Sequence, residues 1–256
     1  MLKIHAVNAF QDNYIWLIQA EQSREVLIVD PGDAMPVLEA METRDLIPTA
    51  ILITHHHADH VGGIAELLSH HNVPVYGPAR ERIPHITHAV AEQDVIEISQ
   101  AFPAIKVFDT PGHTAGHICY LMENKLFCGD TIFAGGCGRL LGGTAADLFA
   151  SLERLKQLPA DTEIYCAHEY TQANLRFANA VDADNEALQQ RIRKVDELRA
   201  ENRASVPSTL ADELATNPFL RSSSEAIKRA AVQFAGRPLT DAEAVFTTLR
   251  RWKDQF

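Results

Sequence analysis

A chain of 256 residues is long enough for one large domain or two modest ones, with a substantial core. An apolar fraction of 46% and a charged fraction of 22% are ordinary globular values. The formal charge of −11 argues against a nucleic-acid binder, which would present a basic face.

The acidic excess is local. Up to residue 168 the chain holds 10 Lys+Arg against 21 Asp+Glu, and beyond it 13 against 13. An anionic substrate would need cationic contacts supplied by the neutral C-terminal portion. The opening Met1-Leu2-Lys3-Ile4-His5 runs directly into a strand pattern without a signal-like segment, and no apolar run has the length to span a bilayer. Cys119, Cys128, Cys137 and Cys166 lack C-x-x-C spacing, so reduced buried thiols in a cytoplasmic protein are expected.

In chain order, residues 3–8 and 14–19 read as strands joined by the turn-forming Gln11-Asp12-Asn13. Residues 26–29 are a third strand, stopped by Asp30-Pro31-Gly32, where Asp30 is first a turn residue. Residues 34–41 look helical, and 50–54 form a strand that runs into His55-His56-His57-Ala58-Asp59-His60-Val61-Gly62-Gly63. A helix follows from Ile64 to His70, where His70 and His71 suit the helix dipole. Strands are predicted at 73–76 and 95–98, with His85 and His88 in a loop between them.

The next strand, 105–109, leads to Thr110-Pro111-Gly112-His113, whose turn exposes His113. His117 then opens strand 118–122 as a packed or supporting histidine. Residues 126–129 deliver Asp130 to a strand end, and 163–167 deliver His168. A lone His after a strand is more often structural; His55/His57, His113, Asp130 and His168 in that order are hard to obtain by chance. Beyond residue 171 no convincing alternating strand appears. Residues 186–203 read as a long helix, Ser222-x-x-Glu225 and Thr240-x-x-Glu243 as capping boxes, and Gly236-Arg237-Pro238 as a helix stop. The domain boundary is drawn at 168: residues 1–168 as an α/β metal domain and 169–256 as an all-helical one.

His55, His57, Asp59 and His60 form H-x-H-x-D-H after a buried strand, a donor set that suits zinc and also iron or manganese. The pattern resembles the T-H-x-H-x-D-H signature of the metallo-β-lactamase superfamily. That resemblance implies an αββα sandwich with metal at its edge. It further implies that His55, His57 and His113 hold one divalent ion, that Asp59, His60 and His168 hold a second, and that Asp130 bridges them. It also implies that Asp30 lies near the ligands.

A carboxylate can span ions about 3.5–4 Å apart, and water between two cations becomes a hydroxide nucleophile near neutral pH. Asp59 would orient it. A thioester carbonyl is the natural target, because a thiolate with a pKa near ~8.5 leaves without strong acid help.

A closer resemblance, covering essentially the full chain, is to glyoxalase II, the hydroxyacylglutathione hydrolase family. It rests on Gly129-Asp130-Thr131-Ile132-Phe133, Gly136-Cys137-Gly138-Arg139, His168-Glu169-Tyr170-Thr171 and the terminal Arg250-Arg251-Trp252-Lys253-Asp254-Gln255-Phe256. It implies hydrolysis of S-D-lactoylglutathione to D-lactate and glutathione, the second step of methylglyoxal detoxification; nothing in the sequence demands more than a monomer. Arg139, Tyr170, Arg250 and Lys253 match positions that hold the glutathione moiety; Leu141 stands where better-known members have a tyrosine. Asp59 and Asp130 are the catalytic carboxylates on this reading.

The alternatives are a persulfide dioxygenase with one iron, an exported β-lactamase, and a non-enzymatic structural zinc or metal-sensing module. The last usually has four closed, Cys-rich ligands. The Gly135-Gly136 and Gly142-Gly143 pairs lack the spacing of a phosphate loop.

Overall fold

The computed structural model describes residues 2–256. They divide into two compact units, one holding residues up to Asp109 with Ala115–Gly129, the other Thr110–Thr114 with Asp130–Phe256.

In the first unit the order is β1 (Lys3–Ala9), β2 (Asn13–Gln19), β3 (Glu25–Val29), α1 (Ala34–Arg44), β4 (Ile47–Leu52), α2 (Ala58–Val61), α3 (Ile64–His70), β5 (Val75–Pro78), β6 (His88–Val90), β7 (Val95–Ile96), β8 (Ile105–Asp109), β9 (Ile118–Met122) and β10 (Lys125–Gly129). Strands β1 to β6 pair in chain order, antiparallel up to β3 and parallel from β3 to β6. β7, β8, β9 and β10 pair antiparallel in that order.

Val7, Ile15, Leu17, Val26, Ile28 and Ile51 of the first sheet meet Val37 and Met41 of α1 and Ile64 and Leu67 of α3. Burying each such side chain contributes roughly 1.5–3 kcal/mol. The alternate residues Trp16, Ile18, Leu27 and Leu52 are buried too, as expected where a sheet is covered on both faces. On that second face the Tyr120 hydroxyl of β9 donates to the Ile53 carbonyl at 2.7 Å. The strands therefore read as continuous apolar runs, and their carboxyl ends project polar residues from one edge.

The second unit begins with a small antiparallel hairpin of β11 (Ile132–Phe133) and β12 (Gly136–Cys137). Then come α4 (Ala145–Leu155), β13 (Glu163–Cys166), α5 (Thr171–Val181), α6 (Glu186–Ala200), β14 (Ser208–Thr209), α7 (Leu210–Thr216), α8 (Glu225–Ala235) and α9 (Ala242–Lys253). Leu175 and Ala178 of α5 pack on Leu188 and Val195 of α6. A second cluster is aromatic: Phe177, Phe219 and Phe246 stack edge or face at 5.7–5.9 Å, with Trp252 against Phe177.

Several expectations are corrected. His88 opens β6 rather than lying in a loop, because Tyr76, Gly77 and Pro78 of β5 pair with it and its two successors. β14 pairs with β13, so a two-residue strand exists beyond residue 171; it is too short for an alternating pattern. The capping boxes at Ser222 and Thr240 do not form. α8 is capped at Ser224 without a side-chain bond, and at α9 Asp241 accepts from the Ala244 amide instead. True capping boxes occur at Thr144–Asp147 and Thr209–Asp212, where aspartate replaces the usual glutamate.

Candidate metal centre

In the first unit, parallel β3 and β4 end side by side, with the Asp30 amide donating to the Leu52 carbonyl at 3.0 Å. The chain turns at Asp30 with a left-handed φ of 51°, aiming its buried carboxylate across the sheet edge. Oδ1 accepts the Thr54 amide at 2.8 Å; Oδ2 accepts the Thr54 hydroxyl at 2.7 Å and faces His60 Nδ1 at 3.0 Å. Because the Thr54 hydroxyl gives its proton to Asp30, its oxygen is the acceptor for His55 Nδ1 at 3.0 Å. Both His55 and His60 thus carry the proton on Nδ1, which leaves Nε2 as the donor of a lone pair. A histidine whose second ring nitrogen is held by a carboxylate, as His60 is by Asp30, is the usual form of a metal-ligating histidine, and Thr54 extends the same support to His55.

His57, the residue before α2, brings Nδ1 to 3.0 Å from His55 Nε2. Asp59 and His60 follow on that helix, with Asp59 Oδ2 3.4 Å from His60 Nε2. Asn13, at the start of β2, donates from Nδ2 to Asp59 Oδ2 at 2.9 Å. Gly32 backs the same peptide: a Cβ there would stand 1.9 Å from the Asp59 carbonyl oxygen. His117 stacks on the His55 ring at 4.8 Å, the packed role expected of it. Asp30, His55 and His60 form a buried group whose ligand atoms lie within 4.8 Å of one another. His70 ends α3 and His71 is its C-cap residue.

In the second unit, His113 Nδ1 donates to the Arg139 carbonyl at 2.8 Å, so its Nε2 is again the lone-pair nitrogen. That nitrogen is 3.4 Å from Asp130 Oδ2, and His168 Nε2 is 3.5 Å from Asp130 Oδ1. Two donors that share a tetrahedral ion at about 2.0–2.1 Å stand about 3.4 Å apart. The two oxygens of Asp130 each meet one histidine at that spacing, as does Asp59 with His60. These distances exceed those of good hydrogen bonds and suit an ion between the atoms. The donor set of imidazoles and carboxylates is borderline to hard and fits divalent transition metals.

The residues expected to hold substrate also lie in the second unit. Arg139 is exposed, as are Leu141 and Tyr170. The Tyr170 ring stacks on His168 at 4.7 Å and 7° and meets Phe133 edge-on. Lys253 is half-buried; its Nζ donates to the Ala173 carbonyl at 3.0 Å and lies over the Phe177 ring. Burial, and then the charges of Arg250, Arg176 and Arg139, lower its ammonium to about 8.

Arg250 is buried, its guanidinium donating to the Cys137 carbonyl at 3.0 Å and to Asp254 Oδ1 at 3.0 Å. Asp254 also approaches Arg139 Nε, at 3.7 Å. All four thiols are buried, and burial pushes Cys137 up to about 11 and Cys166 to about 12, which makes them inert.

Sequence reasoning missed Asn13 and Thr54 as supports of Asp59, His55 and Asp30, along with Asn174, Glu213 and Asn217, which hold the β11–β12 hairpin. Their partners lie 24 to 84 residues away, and no local pattern announces them.

Residues 10–168 match the family model of the metallo-β-lactamase superfamily, and residues 169–256 match that of the hydroxyacylglutathione hydrolase C-terminus. The hydroxyacylglutathione hydrolase of Nitrosomonas europaea is 50% identical over 256 residues, covering 100% of this chain and 97% of that protein. The chain belongs to the hydroxyacylglutathione hydrolase family. The enzyme of the same name from Alkalilimnicola ehrlichii is 51% identical, with both chains covered in full.

Among solved structures, ETHE1 from Myxococcus xanthus superposes with a TM-score of 0.67 at 22% identity over 99% of this chain and 98% of that one. The BLEG-1 B3 metallo-β-lactamase does so with 0.63 at 25% identity over 86% and 99%. These likenesses establish the metallo-β-lactamase fold, followed here by a helical C-terminal region. Among the described residues no helix is long and apolar enough to cross a membrane.

Proposed function

We infer that the protein is a metal-dependent thioester hydrolase that converts S-D-lactoylglutathione to D-lactate and glutathione, and so completes methylglyoxal detoxification. Family membership at about 50% identity over the whole chain carries this reading, and it disfavours a persulfide dioxygenase. Residues 1–168 form the catalytic domain, and 169–256 the glutathione-binding domain.

His55, His57 and His113 would hold one divalent ion and Asp59, His60 and His168 a second, with Asp130 contributing its carboxylate to both. The proton placement on His55, His60 and His113 and the Asp130 spacings support this assignment. Zinc is the ion we assign; the same donors accept iron or manganese. Two such cations would supply Lewis acidity, polarising the thioester carbonyl and acidifying water.

The chain's own residues do the rest. Asp59, held by Asn13 through Oδ2, orients the attacking water. Asp30 keeps the His60 proton on Nδ1. Arg139 and Lys253 meet the carboxylates of the tripeptide, and Arg250 adds its charge from the buried side while it holds the loop carbonyls. Tyr170, stacked on His168, lies against the peptide portion. The leaving thiolate departs without a dedicated acid, since its conjugate thiol has a pKa near ~8.5.

We assign the protein a monomeric state. The buried thiols suit a reducing cytoplasm. The test is metal content beside turnover. Protein stripped with chelator and reloaded should bind two equivalents and regain thiol release from the thioester. Full activity without metal would overturn the assignment.

A further inference from the structure

The β11–β12 hairpin starts two residues after Asp130 and ends two residues before Arg139, whose carbonyl takes the His113 proton. It therefore links two of the proposed ligands. Nearly every peptide group along it is gripped by a side chain from the helical C-terminal region. Asn174 Nδ2 donates to the Ala134 carbonyl at 3.2 Å. Glu213 Oε2 accepts the Gly135 amide at 2.9 Å. Asn217 Nδ2 donates to the carbonyls of Gly136 at 2.9 Å and Phe133 at 3.3 Å, and Arg250 to those of Cys137 and Gly138.

Glu213 is the hub. It is fully buried and takes four donors on two oxygens: Gly135 N and Asn217 Nδ2 on one, Ser208 Oγ and the Arg191 guanidinium on the other. A buried carboxylate is tolerated only with such complete pairing. The base of the hairpin is equally tight. The Gly138 amide donates to the Thr131 carbonyl at 3.2 Å, and a Cβ on Gly138 would lie 2.0 Å from the Asp130 carbonyl oxygen. A shift at the hairpin tip therefore passes to Asp130 and to the Arg139 carbonyl without slack.

We propose that Glu213 is a positioning residue for the metal centre: with Asn217 it clamps the β11–β12 hairpin so that Asp130 and His113 face their ions. This rests on the ligand assignment above and gives the helical region a second task beyond holding glutathione. It also accounts for why the second compact unit joins Asp130 to residues far beyond 168.

The test compares wild type with Glu213→Gln. The amide keeps the shape but turns a donor toward at least one of the four donors around it. Metal-free proteins are titrated with Zn2+ against a chromophoric chelator, with circular dichroism as the fold control. Displacing residues that support ligands typically costs 10–100-fold in metal affinity. Glu213→Gln should therefore retain a native spectrum and bind at least one of its two equivalents about 10-fold more weakly or worse. KM for the thioester under saturating metal should stay within about two-fold. Asn217→Ala should shift metal affinity in the same direction, and it decides the matter if Glu213→Gln does not fold.

In wild type, coupling is reciprocal, so adding Zn2+ should slow amide exchange across residues 133–138. Two equivalents bound at wild-type affinity in the variants, or hairpin exchange indifferent to metal, would overturn the clamp while leaving the ligand assignment standing. Failure of wild type to bind two equivalents would sink both.

Discussion

Replacing Asp30 by Asn removes the carboxylate that orients the proposed ligands. Asn tolerates the left-handed backbone at this position, so the turn survives. It has only one acceptor oxygen for the three donors that Asp30 now satisfies. If that oxygen stays on the Thr54 amide, the new NH2 faces His60 Nδ1 and drives the imidazole proton to Nε2. The nitrogen proposed to meet the metal then no longer has a lone pair to give.

A hydrogen bond to a charged group contributes about 1.5–3 kcal/mol, and each 1.4 kcal/mol is tenfold. The ion proposed for His60 should bind about 10- to 150-fold more weakly, with the other equivalent less affected. Chelator competition on stripped protein measures this directly, and kcat at limiting metal should fall in parallel. Two equivalents bound as tightly as in wild type would refute the proton logic assigned to Asp30, Thr54 and His60.

Asn13→Ala removes the 2.9 Å hydrogen bond to Asp59 and should lower kcat by roughly tenfold with KM little changed, as expected of a group that orients rather than binds; a rise in KM alone would contradict it. Gly138→Ala places a Cβ against the Asp130 carbonyl and should lower stability by about 1–3 kcal/mol, with metal loss, in thermal melts taken with and without Zn2+. Lys253, its ammonium lowered to about 8 by burial and by the charges of Arg250 and Arg176, loses charge as pH rises through that value. kcat/KM for the glutathione thioester should therefore fall above about pH 8 and flatten in Lys253→Arg, whereas a flat wild-type profile would refute the role. The same depressed value means that the unfolded state binds more protons between about 8 and about 10.4, so folding stability should rise with pH across that window.

Most of the fold was readable from period and punctuation. β3 and β4 announce themselves as apolar runs stopped by Asp30-Pro31-Gly32 and by the histidine motif, and both end where expected, within a residue or two. The seven proposed ligands were legible because each follows a strand end. What escaped was whatever depends on distant pairing. Asn13 reads locally as a turn residue, yet its side chain reaches 46 positions along the chain to Asp59. Glu213 reads as one more charge on a helix, and only the folded chain shows it buried against Gly135. Arg250 and Lys253 share a helical spacing, but the fold buries the first against backbone carbonyls and leaves the second half-buried. The capping boxes failed for a nearer reason: Ser224 and Asp241 lie closer to the helix starts than Ser222 and Thr240, and take their places.

The most direct test of the whole account is thiol release by the metal-loaded protein from S-D-lactoylglutathione, measured beside a lactoyl thioester of a simple thiol that lacks the tripeptide. The first should turn over fast, with kcat/KM well above that for the second, and yield D-lactate and glutathione in equal amounts. Equal rates on both thioesters would contradict the glutathione-binding role of Arg139, Tyr170 and Lys253, and turnover of neither would contradict the hydrolase itself.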